Sequence, residues 1–207
     1  MVTVIDYGVG NLFSLSSSLR AIGQQVTVSG DPAVIASAER LILPGVGAFA
    51  DAAAKLRQGG LDLLVKERAA AGVPIMGICL GMQLLFERSL EYGEHEGLGL
   101  IRGSVVPMQG VIPAELKIPH IGWNALRLTR PSHPLLRDLK SGDHVYFVHS
   151  YFATDCADHV IADTEYGAYL TAAVARGNVM GCQFHPEKSG AVGLSILRAF
   201  CETEVFA

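Results

Sequence analysis

Short apolar runs alternate with helical patterns through the first half of this chain. Strand-like runs occupy Val2–Asp6, Gln25–Val28, Arg40–Leu43 and Pro74–Ile78. Helical patterns lie between and after them, over Leu12–Ile22, Phe49–Ala71 and Leu80–Arg88. A strand, a helix and a parallel strand form a right-handed crossover unit, so this alternation predicts a parallel sheet with helices packed on it. In such sheets the chemistry lies beyond the carboxyl ends of the strands.

The second half of the chain is richer in strand-like runs. They occupy Leu100–Val106, Trp123–Leu128, His144–Ser150, His159–Thr164, Leu170–Arg176 and Val179–Phe184. A closing helix over Ala191–Glu202 carries apolar residues on one face. We therefore expect one α/β domain over residues 1–207, with a central, mostly parallel twisted sheet flanked by helices and a β-rich second half.

Hydrophobic residues make up 50% of the chain, which raises the question of a membrane segment. The longest apolar run, Val73–Phe86, is interrupted by Gly77, Gly81 and Gln83. It is also shorter than the ~18 continuous apolar residues that a spanning helix needs. The N-terminus shows no basic segment ahead of an apolar stretch, so no signal peptide is expected. These features predict a soluble, cytoplasmic protein with no membrane partner.

Charge and cysteine usage exclude further classes. The net charge is −4, from 16 basic and 20 acidic residues without a basic cluster, which argues against nucleic acid as a partner. The four cysteines are widely spaced, as expected for free thiols in a reducing compartment. No Cys-x-x-Cys pair is present, and Cys182 and His185 have the wrong spacing for zinc. Neither a metal nor another cofactor is expected.

The segment Gly77-Ile78-Cys79-Leu80-Gly81 has the form of a nucleophile elbow. It follows an apolar strand and precedes a helix. A sharp turn there strains the central residue, and the flanking glycines prevent collisions. The thiol is then exposed at a helix N-terminus, where N–H groups favour a thiolate. The alternative is a small buried cysteine at the end of a strand, the usual environment of free cysteines.

A second candidate segment is His185-Pro186-Glu187, near the C-terminus. In an extended chain, residues two apart point the same way, so His185 and Glu187 can share a face. A carboxylate beside an imidazole fixes the tautomer and stabilises the imidazolium that forms when the ring takes a proton. His185 could therefore act as the base for Cys79. The alternative is a loop with solvated charges.

The third segment, Pro44-Gly45-Val46-Gly47, follows the third predicted strand. Its two glycines allow backbone to approach a ligand and to present N–H donors. A plain turn is the alternative. Together and in this order, the three segments resemble the hallmarks of the class I glutamine amidotransferase family: a Pro-Gly-x-Gly loop, a Gly-x-Cys-x-Gly elbow followed by Met-Gln, and His-Pro-Glu near the C-terminus. The match spans nearly the whole chain.

The resemblance implies a catalytic triad of Cys79, His185 and Glu187. The triad would hydrolyse the side-chain amide of glutamine through a glutamyl thioester on Cys79 and release ammonia. The backbone N–H groups of Gly47 and Leu80 would form the oxyanion hole. By the same resemblance, the residues that bind glutamine are Gly45, Gln83, Glu91, Ser150 and Tyr151.

Longer segments narrow the resemblance to one branch of the family. These segments are Ile5–Leu12, Pro119–Asn124, Tyr146–Tyr151 and His185–Ser189. They are similar to the glutaminase subunits of imidazole glycerol phosphate synthases. In that branch the glutaminase forms a heterodimer with a (β/α)8-barrel cyclase, and ammonia passes through the barrel to a phosphoribulosyl-formimino intermediate. The products are imidazole glycerol phosphate, for histidine synthesis, and an aminoimidazole carboxamide ribotide.

The same resemblance assigns a further group of residues to the mouth that faces the cyclase. They are Asn11, Trp123, Tyr146, His149 and Lys188. For Trp123 the alternative is packing in the core, and for Lys188 it is a plain surface charge. Lys188 directly follows Glu187. A carboxylate of the partner could pair with Lys188 beside the site and close the mouth, which would then act as a gate toward the cyclase.

Three rival functions fit the sequence less well. The glutaminase partner of pyridoxal phosphate synthase has a similar size, but its pattern lacks the Tyr-Gly-x-Gly-Asn opening and the Gly-Trp-Asn segment. A stand-alone γ-glutamyl hydrolase would be expected to carry a secretory or vacuolar address. A non-catalytic scaffold would not need Cys79, His185 and Glu187 intact.

Overall fold

The structure, a computed structural model, describes residues 1–203, so the last four residues of the expected domain lie outside the described part. The strands are β1 Val2–Ile5, β2 Val26–Ser29, β3 Leu41–Leu43, β4 Ile75–Ile78, β5 Phe86–Ser89, β6 His95–Glu96, β7 Ile101–Pro107, β8 His120–Leu128, β9 His144–His149, β10 Tyr151–Thr154, β11 Val160–Glu165, β12 Tyr169–Arg176 and β13 Val179–Cys182. The α-helices are α1 Leu12–Ala21, α2 Pro32–Ala36, α3 Phe49–Gln58, α4 Leu61–Ala70, α5 Leu80–Leu84 and α6 Gly190–Glu202. Single 3₁₀ turns lie at Pro134–Leu136, Ala157–His159 and Pro186–Lys188.

The larger sheet has the strand order β2-β1-β3-β4-β13-β12-β11-β8-β9. Neighbouring strands are parallel from β2 to β13 and antiparallel from β13 to β9. The predicted α/β class is confirmed, and the sheet is mixed because its second half returns by hairpins and loops instead of helical crossovers. Strand β13 lies beside β4 in parallel, which brings the segment after β13 next to the turn after β4.

Apolar side chains bury both faces of this sheet. On one face, Leu15 and Leu19 of α1 pack with Ile196 and Phe200 of α6 in one cluster. On the other face, α2, α3 and α4 pack with strands β5 and β7 in a second cluster, which includes Phe49. Burial on two faces explains the near-continuous apolar runs of the parallel strands.

A smaller sheet, in the order β10-β7-β5-β6, corrects one prediction. The helix predicted over Leu80–Arg88 ends at Leu84, and Phe86–Ser89 forms a strand. This strand pairs in parallel with β7 and antiparallel with β6. Phe86 and Ser89 are fully buried, so the ladder and the tertiary packing outweigh the local helical pattern.

Close approaches position the segment after β13. Helix α6 begins at Gly190, and a Cβ built on Gly193 would overlap the carbonyl oxygen of Pro186. Only glycine therefore lets α6 pack directly on the Pro186–Lys188 turn. Among residues 1–203, no helix is both long and apolar enough to cross a membrane.

Candidate active site

The turn between β4 and α5 has the strained conformation that the sequence predicts, but Cys79 is buried and only 7% exposed, where the sequence predicted an exposed thiol. Cys79 lies at the start of α5 with φ 55° and ψ −112°, a conformation that costs a non-glycine residue energy. Its N–H donates to the carbonyl oxygen of Cys182 at 2.8 Å. The bond holds the turn against the end of β13. The strain is thus maintained by the sheet, and Cys79 lies at the carboxyl end of the parallel strand β4.

The two flanking glycines are required sterically. A Cβ built on Gly77 would lie 2.5 Å from the carbonyl oxygen of Gly81, and one built on Gly81 would overlap the carbonyl oxygen of Leu43. The first turn of α5 therefore contacts the backbone of β3 and β4 directly. Helix α5 has only five residues, so its dipole offers less support to a thiolate than a long helix would.

His185 and Glu187 form the predicted pair. The Nδ1 atom of His185 lies 2.8 Å from Oε1 of Glu187, and the two side chains are only 2% and 3% exposed. The backbone between them is held by Ser189, whose hydroxyl donates to the carbonyl oxygen of His185 at 2.6 Å. Because a carboxylate only accepts, Nδ1 carries the hydrogen, and Nε2 is the nitrogen left for another partner.

Opposing effects act on the imidazole of His185. Burial lowers its pKa, but hydrogen bonding and charge interactions with Cys79 and Glu187 outweigh burial and raise the pKa to about 9. Within the described residues, Nε2 is buried and makes no hydrogen bond of ordinary geometry. This nitrogen is therefore free to exchange a proton with the nearby thiol.

Cys79 and His185 open into one cavity of about 640 Å³. Its lining comprises Val46, Gly47, Cys79, Leu80, Gln83, Glu91, Tyr92, Pro107, Gln109, Ile118, Pro119, Val148, His149, Ser150, Tyr151, His185 and Lys188. Most of the site residues expected from the sequence are among them. The exceptions are Gly45, Asn11, Trp123, Tyr146 and Glu187, which do not line the cavity.

The loop after β3 lies against the elbow. A Cβ on Gly45 would lie 2.7 Å from the backbone nitrogen of Gly81, which explains the first glycine of the loop. The hydroxyl of the buried Tyr7 donates to the Pro44 carbonyl oxygen at 2.7 Å and fixes the start of the loop. In the described part of the chain, the N–H groups of Gly47 and Leu80 make no hydrogen bond. Neither N–H is therefore committed to a partner among residues 1–203.

Two of the residues expected to bind glutamine already have partners in the protein. An Oε2 atom of Glu91 accepts from the N–H of Phe49 at 2.7 Å, at the start of α3. The Nε2 atom of Gln83 donates to the Tyr151 carbonyl oxygen at 3.2 Å. The same Nε2 atom also donates to Oε1 of Gln183 at 2.9 Å. Both side chains are buried and still border the cavity.

The residues expected at the mouth fall into three environments. Trp123 is 55% exposed, which rules out core packing, and its ring centroid lies 6.2 Å from that of Tyr146. The Nζ atom of Lys188 lies 5.6 Å from the same Tyr146 ring. Asn11 instead caps α1, since its Oδ1 accepts from the N–H of Ser14 at 3.3 Å. His149 is buried.

Comparison with known proteins shows which family this chain belongs to. The model of the family described as glutamine amidotransferase class-I matches residues 3–203. The chain belongs to the class-I glutamine amidotransferase family. A solved structure, "Crystal structure of glutamine amidotransferase", has the same fold with a TM-score of 0.76 at 22% identity, covering 97% of both chains.

Curated relatives are considerably more similar. The "Imidazole glycerol phosphate synthase subunit HisH" of Lactococcus lactis subsp. lactis is 50% identical over 97% of this chain and 98% of its own length. The protein of the same name from Geobacillus kaustophilus is 51% identical over 97% of this chain and 95% of its own. This amidotransferase is thus similar to these subunits along nearly its entire length.

Sequence reasoning about this amidotransferase missed a buried histidine pair. Nδ1 of His149 lies 2.9 Å from the Tyr151 carbonyl oxygen, and Nε2 of His149 lies 3.1 Å from Nδ1 of His120. A carbonyl only accepts, so Nδ1 of His149 carries a hydrogen and its Nε2 accepts from His120. Burial lowers the pKa of both histidines to about 4, so both rings are neutral at pH 7.

Gln183 is a further residue to which the sequence pattern assigned no role. Its side chain is completely buried, and its Nε2 atom lies 3.7 Å from the sulfur of Cys79. The alternation rule that placed His185 and Glu187 on one face also applies to Gln183, two residues before His185. This alternation was the sequence feature that could have indicated a role for Gln183 in the site. No local pattern signalled the contact between Tyr7 and Pro44, because it joins separate strands.

Proposed function

We propose that this chain is the glutaminase subunit of an imidazole glycerol phosphate synthase, and that it acts in the cytoplasm. It hydrolyses L-glutamine to L-glutamate and ammonia. The observation that carries the proposal is that the strained Cys79 opens into the same cavity as His185, whose Nδ1 atom is bonded to Glu187. The two subunits named above, about half identical over nearly the full chain, support the choice of this synthase.

In the first half of the reaction, the Cys79 sulfur attacks the side-chain carbonyl carbon of glutamine. His185 takes the thiol proton on Nε2, and Glu187 stabilises the resulting imidazolium through Nδ1. Negative charge develops on the former carbonyl oxygen. The N–H groups of Gly47 and Leu80 are the donors that we assign to it.

Collapse of the tetrahedral intermediate expels ammonia, to which His185 donates its proton, and leaves a glutamyl thioester on Cys79. Water then enters as the second nucleophile, with His185 again taking the proton. Breakdown of the second intermediate breaks the C–S bond, returns the proton to the Cys79 sulfur and releases glutamate. Each half therefore uses one base that becomes an acid.

We assign the buried polar groups that line the cavity to the amino-acid end of glutamine. The carboxylate of Glu91 suits the α-ammonium group, and the Oε1 atom of Gln83 can accept from the same group, because both Nε2 hydrogens of Gln83 are donated within the protein. Backbone groups of Gly45, Ser150 and Tyr151 complete the set. Glu91 also accepts from the N–H of Phe49, so substrate binding and the start of α3 share one carboxylate.

The partner in this proposal is a (β/α)8-barrel cyclase that forms a one-to-one heterodimer with this chain. Ammonia passes through the barrel to make imidazole glycerol phosphate, for histidine synthesis, and an aminoimidazole carboxamide ribotide. Exposed apolar residues near the cavity mouth support docking there: Val46 is 45%, Ile118 40%, Ile121 59% and Trp123 55% exposed.

We further propose that Asn11, Trp123, Tyr146, His149 and Lys188 form or support the gate toward the cyclase. Lys188 borders the cavity and lies near the Tyr146 ring, which itself contacts Trp123. Asn11 contributes by capping α1, and His149 by holding the Tyr151 carbonyl.

The proposal is tested by purifying the chain with its cyclase and measuring product formation from glutamine and from free ammonia. Cys79→Ala should abolish the glutamine-dependent reaction and leave the ammonia-dependent reaction of the cyclase unchanged. The isolated chain should hydrolyse glutamine slowly and be stimulated by the cyclase with its ligand. High turnover without the cyclase would contradict the coupling.

Docking is tested separately with Trp123→Ala, which should weaken cyclase binding by roughly 10-fold or more, as expected for a central aromatic contact. Leu63→Ala is the matched control. Leu63 is an exposed apolar residue, at 62%, on α4 and away from the cavity lining. Equal loss of cyclase binding in both variants would argue against docking at the mouth.

A further inference from the structure

Gln183 is a buried amide in contact with the reacting sulfur. Its side chain is 0% exposed, and its Nε2 atom lies 3.7 Å from Sγ of Cys79, within the range of a hydrogen bond to sulfur. Its backbone N–H is already used in a bond to the carbonyl oxygen of Ala172 at 2.8 Å. The side-chain amide is therefore the part of Gln183 that is directed at the nucleophile.

The orientation of this amide follows from the neighbouring groups. The carbonyl oxygen of Tyr151 can only accept, so the atom of Gln83 that lies 3.2 Å from it must be nitrogen. The same nitrogen lies 2.9 Å from the amide of Gln183 and must donate to it. The Gln183 atom that receives this bond is consequently oxygen, and the atom beside Cys79 is nitrogen. A flipped amide would place a donor against a donor.

The chain of hydrogen bonds is anchored at its far end. His149 also donates to the Tyr151 carbonyl oxygen, at 2.9 Å, and His120 donates to His149. Two donors thus hold the carbonyl that determines the orientation of Gln83. The amide of Gln183 has little freedom to turn away from the sulfur, because each buried partner would lose its bond.

The sulfur has a different partner in each protonation state. As a thiol, Cys79 can donate to the carbonyl oxygen of Val148, which lies 3.9 Å away. As a thiolate it can only accept, and the fixed N–H of Gln183 is a donor that suits this state. Helix α5 is a single short turn, so individual donors contribute a larger share of thiolate stabilisation than the helix does.

We propose that Gln183 is a further catalytic residue, whose side-chain N–H holds and stabilises the Cys79 thiolate before attack on glutamine. The proposal rests on the function proposed above. It adds a donor to the Cys79–His185–Glu187 triad. It also gives Gln83 a second role, since Gln83 fixes the orientation of the amide that contacts the nucleophile.

The test compares the wild type with two Gln183 variants, each in complex with the cyclase. The quantity measured is the pH dependence of Cys79 alkylation by iodoacetamide, read out by peptide mass spectrometry. Gln183→Leu should alkylate roughly 10-fold more slowly at neutral pH, with the midpoint of its alkylation profile at higher pH. Gln183→Glu still accepts from Gln83 but places an acceptor against the sulfur, so its loss should be larger. In both variants kcat should fall by roughly 10-fold or more, with KM changed little.

Asn178→Leu is the matched control, because Asn178 is a partly buried amide that donates to two backbone carbonyls, of Ala69 at 2.9 Å and Val73 at 2.8 Å, outside the cavity lining. It should lose stability and keep the wild-type alkylation profile. Unshifted profiles in both Gln183 variants, or an equal shift in Asn178→Leu, would overturn the role of Gln183. Glutamine hydrolysis that survives in Cys79→Ala would instead overturn the proposed function itself.

Discussion

At the imidazole of His185, burial and the charges nearby shift the pKa in opposite directions. Burial alone would leave it a neutral ring, as it does for His120 and His149, whose pKa values fall to about 4. Interactions with Cys79 and Glu187 reverse this effect and raise the pKa of His185 to about 9. The three histidines are all buried, but their pKa values differ because each ring has different hydrogen-bonding and charged partners.

Replacing Glu187 tests this balance. Glu187→Gln keeps an acceptor for Nδ1 but removes the charge, so the pKa of His185 should fall. A raised pKa means that the native state binds the proton more tightly than the unfolded chain does. The contribution of His185 to the free energy of unfolding is therefore complete below pH 6.5 and is lost as the pH rises through about 9. Urea denaturation measures the free energy of unfolding across this pH window. From pH 6.5 to about 9, this free energy should decrease less in Glu187→Gln than in the wild type, by on the order of 1 kcal/mol.

Activity provides the second readout for this residue. Glutamine hydrolysis should decrease by roughly 10²-fold in Glu187→Gln, against roughly 10⁴-fold in His185→Ala, because the second variant removes the base itself. Glu96→Gln, at an exposed carboxylate outside the cavity lining, is the control for a lost charge. Equal pH slopes in the wild type and Glu187→Gln would show that the carboxylate does not raise the pKa of His185.

Local backbone rules explain which site residues could be predicted from the sequence. The elbow around Cys79 and the pairing of His185 with Glu187 each involve neighbours in the chain, so the sequence alone indicated them. The contact of Gln183 with Cys79 joins residues that directly follow the adjacent strands β13 and β4, and it depends on a register that the sequence pattern does not specify. The assignments of oxyanion, glutamine and gate residues remain predictions.

The elbow is made by packing between elements. Helix α5 lies so close to β3 and β4 that no side chain fits at Gly81. The same closeness limits what the sequence could reveal about α5. Its apolar pattern runs past Leu84, but residues Phe86–Ser89 leave the helix to pair with β6 and β7. A short apolar run fits either structure, and only the distant strand β7 selects between them.

Gly81→Ala tests the packing of this element. The added methyl would overlap the carbonyl oxygen of Leu43, so α5 must move away from β3. We expect the free energy of unfolding to fall by roughly 3 kcal/mol, together with a loss of glutamine hydrolysis, since Cys79 and Leu80 move with the helix. Gly59→Ala is the control, because its Cβ would make an ordinary 3.4 Å contact with Leu61. Wild-type stability and activity in Gly81→Ala would contradict the close packing.

At the scale of the whole molecule, one strand pairing places the Cys79 turn beside the His185 turn. Strand β13, at the end of the β-rich second half, returns beside β4, so the Cys79 turn and the His185 turn emerge at the same edge of the sheet. Pattern reasoning predicted both turns and the α/β class. It could not predict the mixed sheet or the separate sheet β10-β7-β5-β6, because strand order depends on long-range pairing.

Covalent labelling tests most directly whether Cys79 is the nucleophile for glutamine. The reagent is a glutamine analogue with an electrophilic diazoketone in place of the side-chain amide, and the readout is peptide mass spectrometry of the chain with its cyclase. Burial raises the pKa of Cys156, Cys182 and Cys201, which keeps them as unreactive thiols. We expect label on Cys79, slower labelling in His185→Ala and none in Cys79→Ala. Label on another cysteine, or glutamine hydrolysis that persists in Cys79→Ala, would contradict the assignment of the nucleophile.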